Sequence, residues 1–509
     1  MFDSANLDHR IDKVKYKREA PKLREALLNA QYDLKENGKF PVLILIAGVE
    51  GAGKGETVNL LNEWMDPRHI AAHAFPAPSD EEIERPPLWR YWRALPPRGK
   101  IGVFFGAWHT IPIVQRVQGL IGESEYAQAI GEILRFEKML CDEGVLLLKY
   151  WFHLSRSQQK KRLKALEKDP KTRWRVTDIE WEYFKLYNKF IKVSEPFLRK
   201  TSTGEAPWIV VPGGDPRYRT LTFGRHLLSA MRERLDQKPA KDGADKTPPL
   251  LAEADNLNVL RALPLDQTIT KQEYDKQLEK WQGHLNLLSR DPRFKSISVV
   301  AVFEGNDAAG KGGAIRRVTS AIDARQYNNV PVAAPTEEER AQPYLWRFWR
   351  HIPRRGRFTF FDRSWYGRVL VERVERFCVE ADWMRAYTEI NDFEQALAKH
   401  GIVVLKFWLA IGKDEQFKRF KGREKIAFKR FKITEEDWRN RKQWDAYERA
   451  VCDMVDQTST SIAPWTLVEA NNKYHARLKV LKTMCQGIEE ALERVGKNGG
   501  GKKGGKRGG

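Results

Sequence analysis

Short apolar runs recur along the chain, separated by longer stretches of mixed polarity. In the first half the runs are VLILIAGV, KIGVFFGAW, VLLLKYWF and WIVVPG; in the second they are SVVAVFEG, RFTFFDRSW, IVVLKFWLA and WTLVEA. All are strand-sized. The intervening segments, such as DWMRAYTEINDFEQALAKHG (382–401), carry the apolar spacing of amphipathic helices. Strands apolar on both faces and separated by helices predict a parallel sheet inside an α/β layer fold.

The pattern is written twice. Gly48 and Gly305, Lys54 and Lys311, Trp108 and Trp365, Glu137 and Glu394, Trp181 and Trp438, and Trp208 and Trp465 all stand 257 positions apart. LWRYWR (88–93) matches LWRFWR (345–350) at the same offset. A constant offset means two copies of one domain with no net gap over most of their length. The expected organisation is a first copy over 1–235, a linker over 236–255, a second copy over 256–495 and a tail over 496–509. The linker, DQKPAKDGADKTPPLLAEAD, is rich in Lys, Asp and Pro without apolar period, so it should be exposed and irregular. The tail, GKNGGGKKGGKRGG, cannot form a core and is expected to be disordered.

Composition narrows the function classes. The apolar share of 41%, with 17 Trp and 24 Phe, supplies real cores. A net charge of +21 points to a polyanionic partner: nucleic acid, a membrane surface or an inorganic polyanion. The longest apolar runs fall short of a membrane span. The N-terminal MFDSANLDHRIDKVKYKREA lacks the apolar centre of a signal peptide. Cys141, Cys378, Cys452 and Cys485 have no CxxC spacing, which fits a reducing cytoplasm without disulfides or a zinc site. A cytoplasmic location is therefore expected.

The chemistry concentrates in the second copy. EGNDAAGKGG (304–313) sits between an apolar run and a helical stretch, the setting of a phosphate-binding P-loop. Gly305, Gly310, Gly312 and Gly313 let the backbone curl around an anion, and Lys311 would reach the outer phosphates. The usual Ser or Thr after the lysine, which binds Mg²⁺, is replaced by Gly312. Asp362 ends the run FTFFD, the place of a Walker B carboxylate that holds Mg²⁺, and Arg363 follows it as a candidate stabiliser of transferring charge. Asp307, inside the loop, would either share the metal with Asp362 or orient the attacking oxygen. The basic segment KRFKGREKIAFKRFK (418–432) reads as a lid that closes cations over the site. The first copy keeps Lys54 and its loop, but Phe105, Gly106 and Glu50 stand where Asp362, Arg363 and Asp307 are expected. It should hold no catalytic metal.

Together, EGNDAAGKGGAIRR, APTEEER, FFDRSWYGRVLVERV, VVLKFWL and APWTLVEANNKYHARL resemble the family-2 polyphosphate kinases. The resemblance covers both copies. It implies two tandem three-layer α/β/α domains of the P-loop, thymidylate-kinase-like kind, and Mg²⁺-dependent phosphoryl transfer between inorganic polyphosphate and nucleotides. The tandem form is similar to the polyphosphate:AMP phosphotransferases of that family, which implies AMP as acceptor and ADP as product. By the same resemblance Asp307, Lys311, Asp362 and Arg363 are catalytic, and Asp307 and Asp362 bind metal. Arg368, Arg419, Arg423 and Arg430 are carried over as phosphate-binding, with Glu372 beside them. Polyphosphate is a dense line of negative charge and accounts for the basic balance without nucleic acid. Direct in-line transfer, with no covalent phosphoenzyme, is the expected mechanism.

Three alternatives stay open at this level. One is a polyphosphate-dependent ADP to ATP kinase. Another is an ATP-dependent nucleoside monophosphate kinase, against which the missing P-loop hydroxyl argues. The last is a polyanion or nucleic-acid-binding protein, against which the Asp362–Arg363 pair argues. Fused copies suggest a built-in pseudo-dimer, and further homo-oligomerisation stays open. No membrane partner is expected.

Overall fold

The computed structural model describes residues 1–237, 258–427 and 433–500, the last three as backbone only. Residues 238–255 of the expected linker and 501–509 of the expected tail lie outside the described residues, as does Arg430.

The chain forms two compact units. The first contains strands β1 (Val42–Gly48), β2 (Ile70–Ala74), β3 (Ile101–Phe105), β4 (Leu146–His153) and β5 (Trp208–Pro212). They make one five-stranded sheet in the order β2-β3-β1-β4-β5. The second contains β6 (Ser298–Gly305), β7 (Tyr327–Pro331), β8 (Phe358–Asp362), β9 (Ile402–Ala410) and β10 (Trp465–Glu469). Its order, β10-β9-β6-β8-β7, is the same topology. Every pair in both sheets is parallel. Helices flank each sheet, as strands buried on both faces require.

In each unit the loop after the central strand lies where the chain leaves to both sides of the sheet. Ligands of open parallel sheets bind at the carboxyl ends of strands at such a switch point. The register places Phe303 of β6 opposite Asp362 of β8, so the Asp362 carboxylate stands at the same sheet end as the P-loop. The core beneath packs Val299, Ala301 and Phe303 of β6 against Ala314, Ile315 and Val318 of the following helix and Val480, Leu481 and Met484 of the last one. On the other side of each sheet a buried lysine closes the same network. Lys149 donates to Glu137 at 2.6 Å, and Lys406 to Glu394 at 2.8 Å.

Two boundaries differ from the expected organisation. Residues 79–89 group with the second unit and 335–346 with the first. These are matching segments of the repeat, each opened by a capping box, at Ser79–Glu82 and Thr336–Glu339. Their side chains reach outside their own repeat: within the second unit Arg85 Nε donates to the Ile352 carbonyl at 2.8 Å, and within the first Gln342 Nε2 donates to the Leu95 carbonyl at 3.1 Å. The last helix also continues to Gly500, past residue 495. Extending an existing helix fixes only one further residue per hydrogen bond, so it outruns the poor propensity of Gly. Among the described residues no helix is long and apolar enough to cross a membrane.

Candidate active site

The P-loop of the second unit joins β6 to helix α2 (Lys311–Thr319); its counterpart in the first joins β1 to helix α1 (Lys54–Trp64). Gly305 is required there by crowding as well as by its φ of +146°: a Cβ would lie 2.4 Å from the Leu409 carbonyl oxygen. Gly310 caps α2 in the left-handed region and aims the helix N-terminus at the loop's interior. Lys311 Nζ rests on the Gly305 carbonyl at 2.8 Å.

Asp362 and Asp307 stand differently. No hydrogen bond from a described residue reaches the half-buried Asp362 carboxylate. It faces the loop at Gly312, where a Cβ would lie 3.7 Å from Asp362 Oδ2. The acidic oxygen thus serves the spot where a P-loop hydroxyl would stand. Asp307 has both oxygens engaged: Oδ1 accepts from Arg363 at 3.1 Å and Oδ2 from the Asn440 amide at 2.9 Å. Among the described residues no cluster of three or more acidic, His or Cys side chains forms a metal site. Mg²⁺ takes one or two carboxylates and completes its shell with water and phosphate oxygens. Asp362 has the free oxygen for this; Asp307 would first have to give up a partner.

Arg363 is held with φ of 64°, in the left-handed region. Glu304, one residue before Gly305, is buried beside it. It accepts from the Ser364 hydroxyl at 2.8 Å. Burial pushes the Glu304 carboxyl above its usual value, against the pull of Lys311.

Two cavities meet on this loop. One, of ≈ 610 Å³, is lined by Gly310, Lys311, Gly312, Gly313 and Asp362 and by Arg316, Lys418, Arg423, Lys473 and Arg477. Partial desolvation, then Arg419, Arg477 and Arg423, hold the Lys473 ammonium below its usual value, the mark of cations crowded without enough counter-charge. The other, of ≈ 80 Å³, is lined by Glu304, Asp307 and Arg363 and by Trp408, Asn440, Trp444 and Tyr447. A polyanion fits the first chemistry and a flat base beside a phosphate fits the second.

Three expected phosphate contacts are tied to other partners or lie outside description, although Arg419 also lines the larger cavity. Arg419, on helix α3 (Lys413–Glu424), is buried and spends its guanidinium on protein. It donates to the carbonyls of Ala308 and Ala309 at 3.0 Å and of Ala470 and Asn471 at 2.7 Å, and pairs with Glu415 at 2.6 Å. It ties the P-loop to the segment after β10 at the wall of the larger cavity. Arg368 pairs with Glu372 at 3.2 Å and with Asp382 at 3.7 Å and lines neither cavity. Arg430 cannot be placed, being outside the described residues. Conversely, Arg316, Lys473, Arg477, Glu304 and Asn440 enter the site without having been singled out in the sequence. Lys473 and Arg477 had a legible signal, an i, i+4 basic pair opening a helix just after a strand.

The first unit reads as the same site filled in. Glu56 replaces Gly313 in the first turn of α1. Its carboxylate takes Arg219 at 2.5 Å, Arg162 at 2.7 Å and Arg175 at 3.5 Å. The Arg219 guanidinium lies so close to Gly53 that a Cβ there would be 2.0 Å from it. A carboxylate and an arginine therefore occupy the loop's anion cradle. Lys54 is buried and bound to Glu50 at 2.8 Å and to the Gly48 carbonyl at 2.9 Å.

Comparison with known proteins gives concordant matches over both units. The family profile of polyphosphate kinase 2 (PPK2) matches residues 10–239 and again 268–495. A polyphosphate:AMP phosphotransferase of Pseudomonas aeruginosa is 59% identical over 97% of this chain and 100% of its own length. One of the same name from Acinetobacter johnsonii is 37% identical over 91% of this chain and 95% of its own. A crystal structure described as polyphosphate kinase 2 from Pseudomonas aeruginosa superposes with a TM-score of 0.88 at 57% identity, covering 97% of this chain and 100% of that one.

Proposed function

The chain belongs to the polyphosphate kinase 2 family, and from that premise we propose that it transfers the terminal phosphoryl group of inorganic polyphosphate to AMP, giving ADP. The observation that carries this reading is the meeting of two chemically distinct cavities on one P-loop in the second unit. The larger offers a row of cations for a phosphate chain. The smaller offers Trp408, Trp444 and Tyr447 to a base, with Arg363 toward its phosphate. At ≈ 80 Å³ it is too small for a whole nucleotide, so a base fits there with its ribose and phosphate outside it.

Transfer then needs little covalent work from the protein. An oxygen of the AMP phosphate attacks the terminal phosphorus of polyphosphate. The new P–O bond forms as the bridging P–O bond breaks, and the shortened chain leaves with the electron pair. Lys311 and the α2 N-terminus hold the terminal group, and Arg363 offsets charge on its equatorial oxygens. Asp362 would hold Mg²⁺, which when bound polarises the transferring group and screens its charge. Asp307 positions Arg363 and accepts from the Asn440 amide.

The test is an end-point assay with Mg²⁺ and long-chain polyphosphate, with AMP or ADP offered separately and ATP plus AMP as a control pair. The reading expects ADP from AMP and polyphosphate, with little ATP from ADP. ATP formed chiefly from ADP would overturn the acceptor, and turnover only with ATP as donor would overturn the whole assignment.

A further inference from the structure

We propose that Glu304 and Ser364 are positioning residues for phosphoryl transfer: the buried hydrogen bond between them fixes the bent backbone that aims Arg363. This rests on the reading above, in which Arg363 offsets charge on the transferring group.

The repeat supplies the control. Ile46 pairs with Phe105 in the first sheet as Phe303 pairs with Asp362 in the second, so the strand ends correspond residue by residue. Ala47 stands for Glu304 and Ala107 for Ser364. The first unit thus builds the same strand end, with the same left-handed bend at Gly106, without a carboxylate or a hydroxyl. The fold does not need the pair. A buried bond that the fold does need looks different: Trp108 donates to Glu137 at 2.9 Å in the first unit and Trp365 to Glu394 at 3.0 Å in the second. Glu304 and Ser364 instead stand in the unit that has Asp307, Asp362 and Arg363, and are missing from the unit that lacks them.

The geometry shows what the bond does. Asp362, Arg363 and Ser364 follow one another off the end of β8. Arg363 has φ of 64°, which crowds any side chain. Such a residue persists only where its surroundings over-determine it. Its own N–H donates to the Phe303 carbonyl at 3.0 Å. On its other side Ser364 is pinned by its side chain: Oγ donates to Glu304 Oε1 at 2.8 Å and accepts from the Tyr366 N–H at 3.3 Å. Phe303 and Glu304 are consecutive, so one strand end clamps the bend before and after Arg363. Glu304 and Ser364 are 5% and 2% exposed, so water does not compete for the bond. A carboxylate acceptor makes it stronger than a neutral one would. Burial disfavours that carboxylate's charge, a cost the first unit avoids with Ala47. Arg363 and Glu304 line the same cavity, so the clamp sits at the wall from which the arginine acts.

The test is a double-mutant cycle on the full chain, with kcat and KM measured for polyphosphate and AMP under Mg²⁺. Ser364→Ala is expected to lower kcat at least tenfold and to change both KM values less than twofold. Placed on Arg363→Gly, the same change should lower kcat less than twofold, because no guanidinium is left to aim. An equal loss on both backgrounds would overturn the proposal, since a bond that only supports the fold acts whether or not Arg363 is present. So would a kcat unchanged in Ser364→Ala, or a loss that shows in KM alone. If Ser364→Ala loses its native circular dichroism, Glu304→Ala/Ser364→Ala takes its place in the cycle with the same expectations; it matches Ala47 and Ala107 and leaves no carboxylate unpaired. The unaltered chain separates this link from the reaction. No ADP from polyphosphate and AMP would overturn both, whereas ADP from it with an unchanged kcat in Ser364→Ala would overturn the link alone.

Discussion

Arg363 holds a left-handed backbone (φ 64°) at the position where the first repeat has Gly106, held at φ 72°. The same exchange occurs at Ala308 and Gly51 and at Arg376 and Gly119. Both units need the same three bends, and the first makes them with glycine at no steric cost. The second keeps side chains there, at roughly 1 kcal/mol or more each. Strain kept in one copy and released in the other marks where a side chain is needed.

Arg363→Gly should therefore separate stability from activity. Its melting temperature is expected to be unchanged or raised by a few degrees, while ADP formation from polyphosphate and AMP falls at least 10²-fold. Thermal unfolding and initial rates on one preparation check both. A variant that loses stability and keeps its activity would contradict the argument.

Glu304→Gln should do the same for a different reason. Burial raises the Glu304 carboxyl above 4.5. A raised folded-state pKa favours folding below the unfolded value, and that contribution is lost as pH rises through the folded one. At pH 8 the buried charge is a cost, and the amide removes it. The melting temperature at pH 8 should rise, the gain should vanish toward pH 4, and the acid limb of kcat/KM should shift. A pH-independent change in melting temperature would refute the titration account.

Asp362→Asn should leave the far-ultraviolet spectrum unchanged and reduce turnover by at least 10³-fold, since it replaces a carboxylate that faces the P-loop at Gly312 and that no described residue hydrogen-bonds. Residual activity should need higher Mg²⁺. Mg²⁺ dependence identical to the unaltered protein would move the metal elsewhere.

Arg477→Ala is expected to raise KM for long-chain polyphosphate several-fold with little change in KM for AMP. Its salt dependence should be shallower by about one phosphate contact. Arg419→Ala should instead destabilise the protein, because four loop carbonyls lose their donor.

These two arginines show where the chain's sequence is legible. Eight of the ten described strands are apolar runs, and the P-loop and strand-end Asp362 follow from local pattern; the edge strands β2 (IAAHA) and β7 (YNNVP) are half-exposed and carry no such run. The partners of a basic residue do not follow from local pattern: Arg419 and Arg423 lie in one charged run and both line the larger cavity, yet Arg419 is spent on backbone carbonyls. Arg368 and Glu372 form an i, i+4 ion pair in the fold. Glu304 hides as the end of a buried strand. The aromatic cavity draws Trp408, Asn440, Trp444 and Tyr447 from separate elements, and the first unit's plug joins Glu56 to Arg219 from far along the chain. Such partners appear only once the sheet order brings them together. The grouping of 79–89 with the second unit is invisible for the same reason.

The central claim is that phosphoryl transfer belongs to the second unit's loop alone. Its most direct test is the initial rate of ADP formation from polyphosphate and AMP in Lys311→Ala and Lys54→Ala, prepared and checked for folding side by side. The account predicts a loss of at least 10³-fold for Lys311→Ala and less than threefold for Lys54→Ala, whose ammonium is already held by Glu50. Equal losses in two folded variants would contradict it and make the first unit a working site.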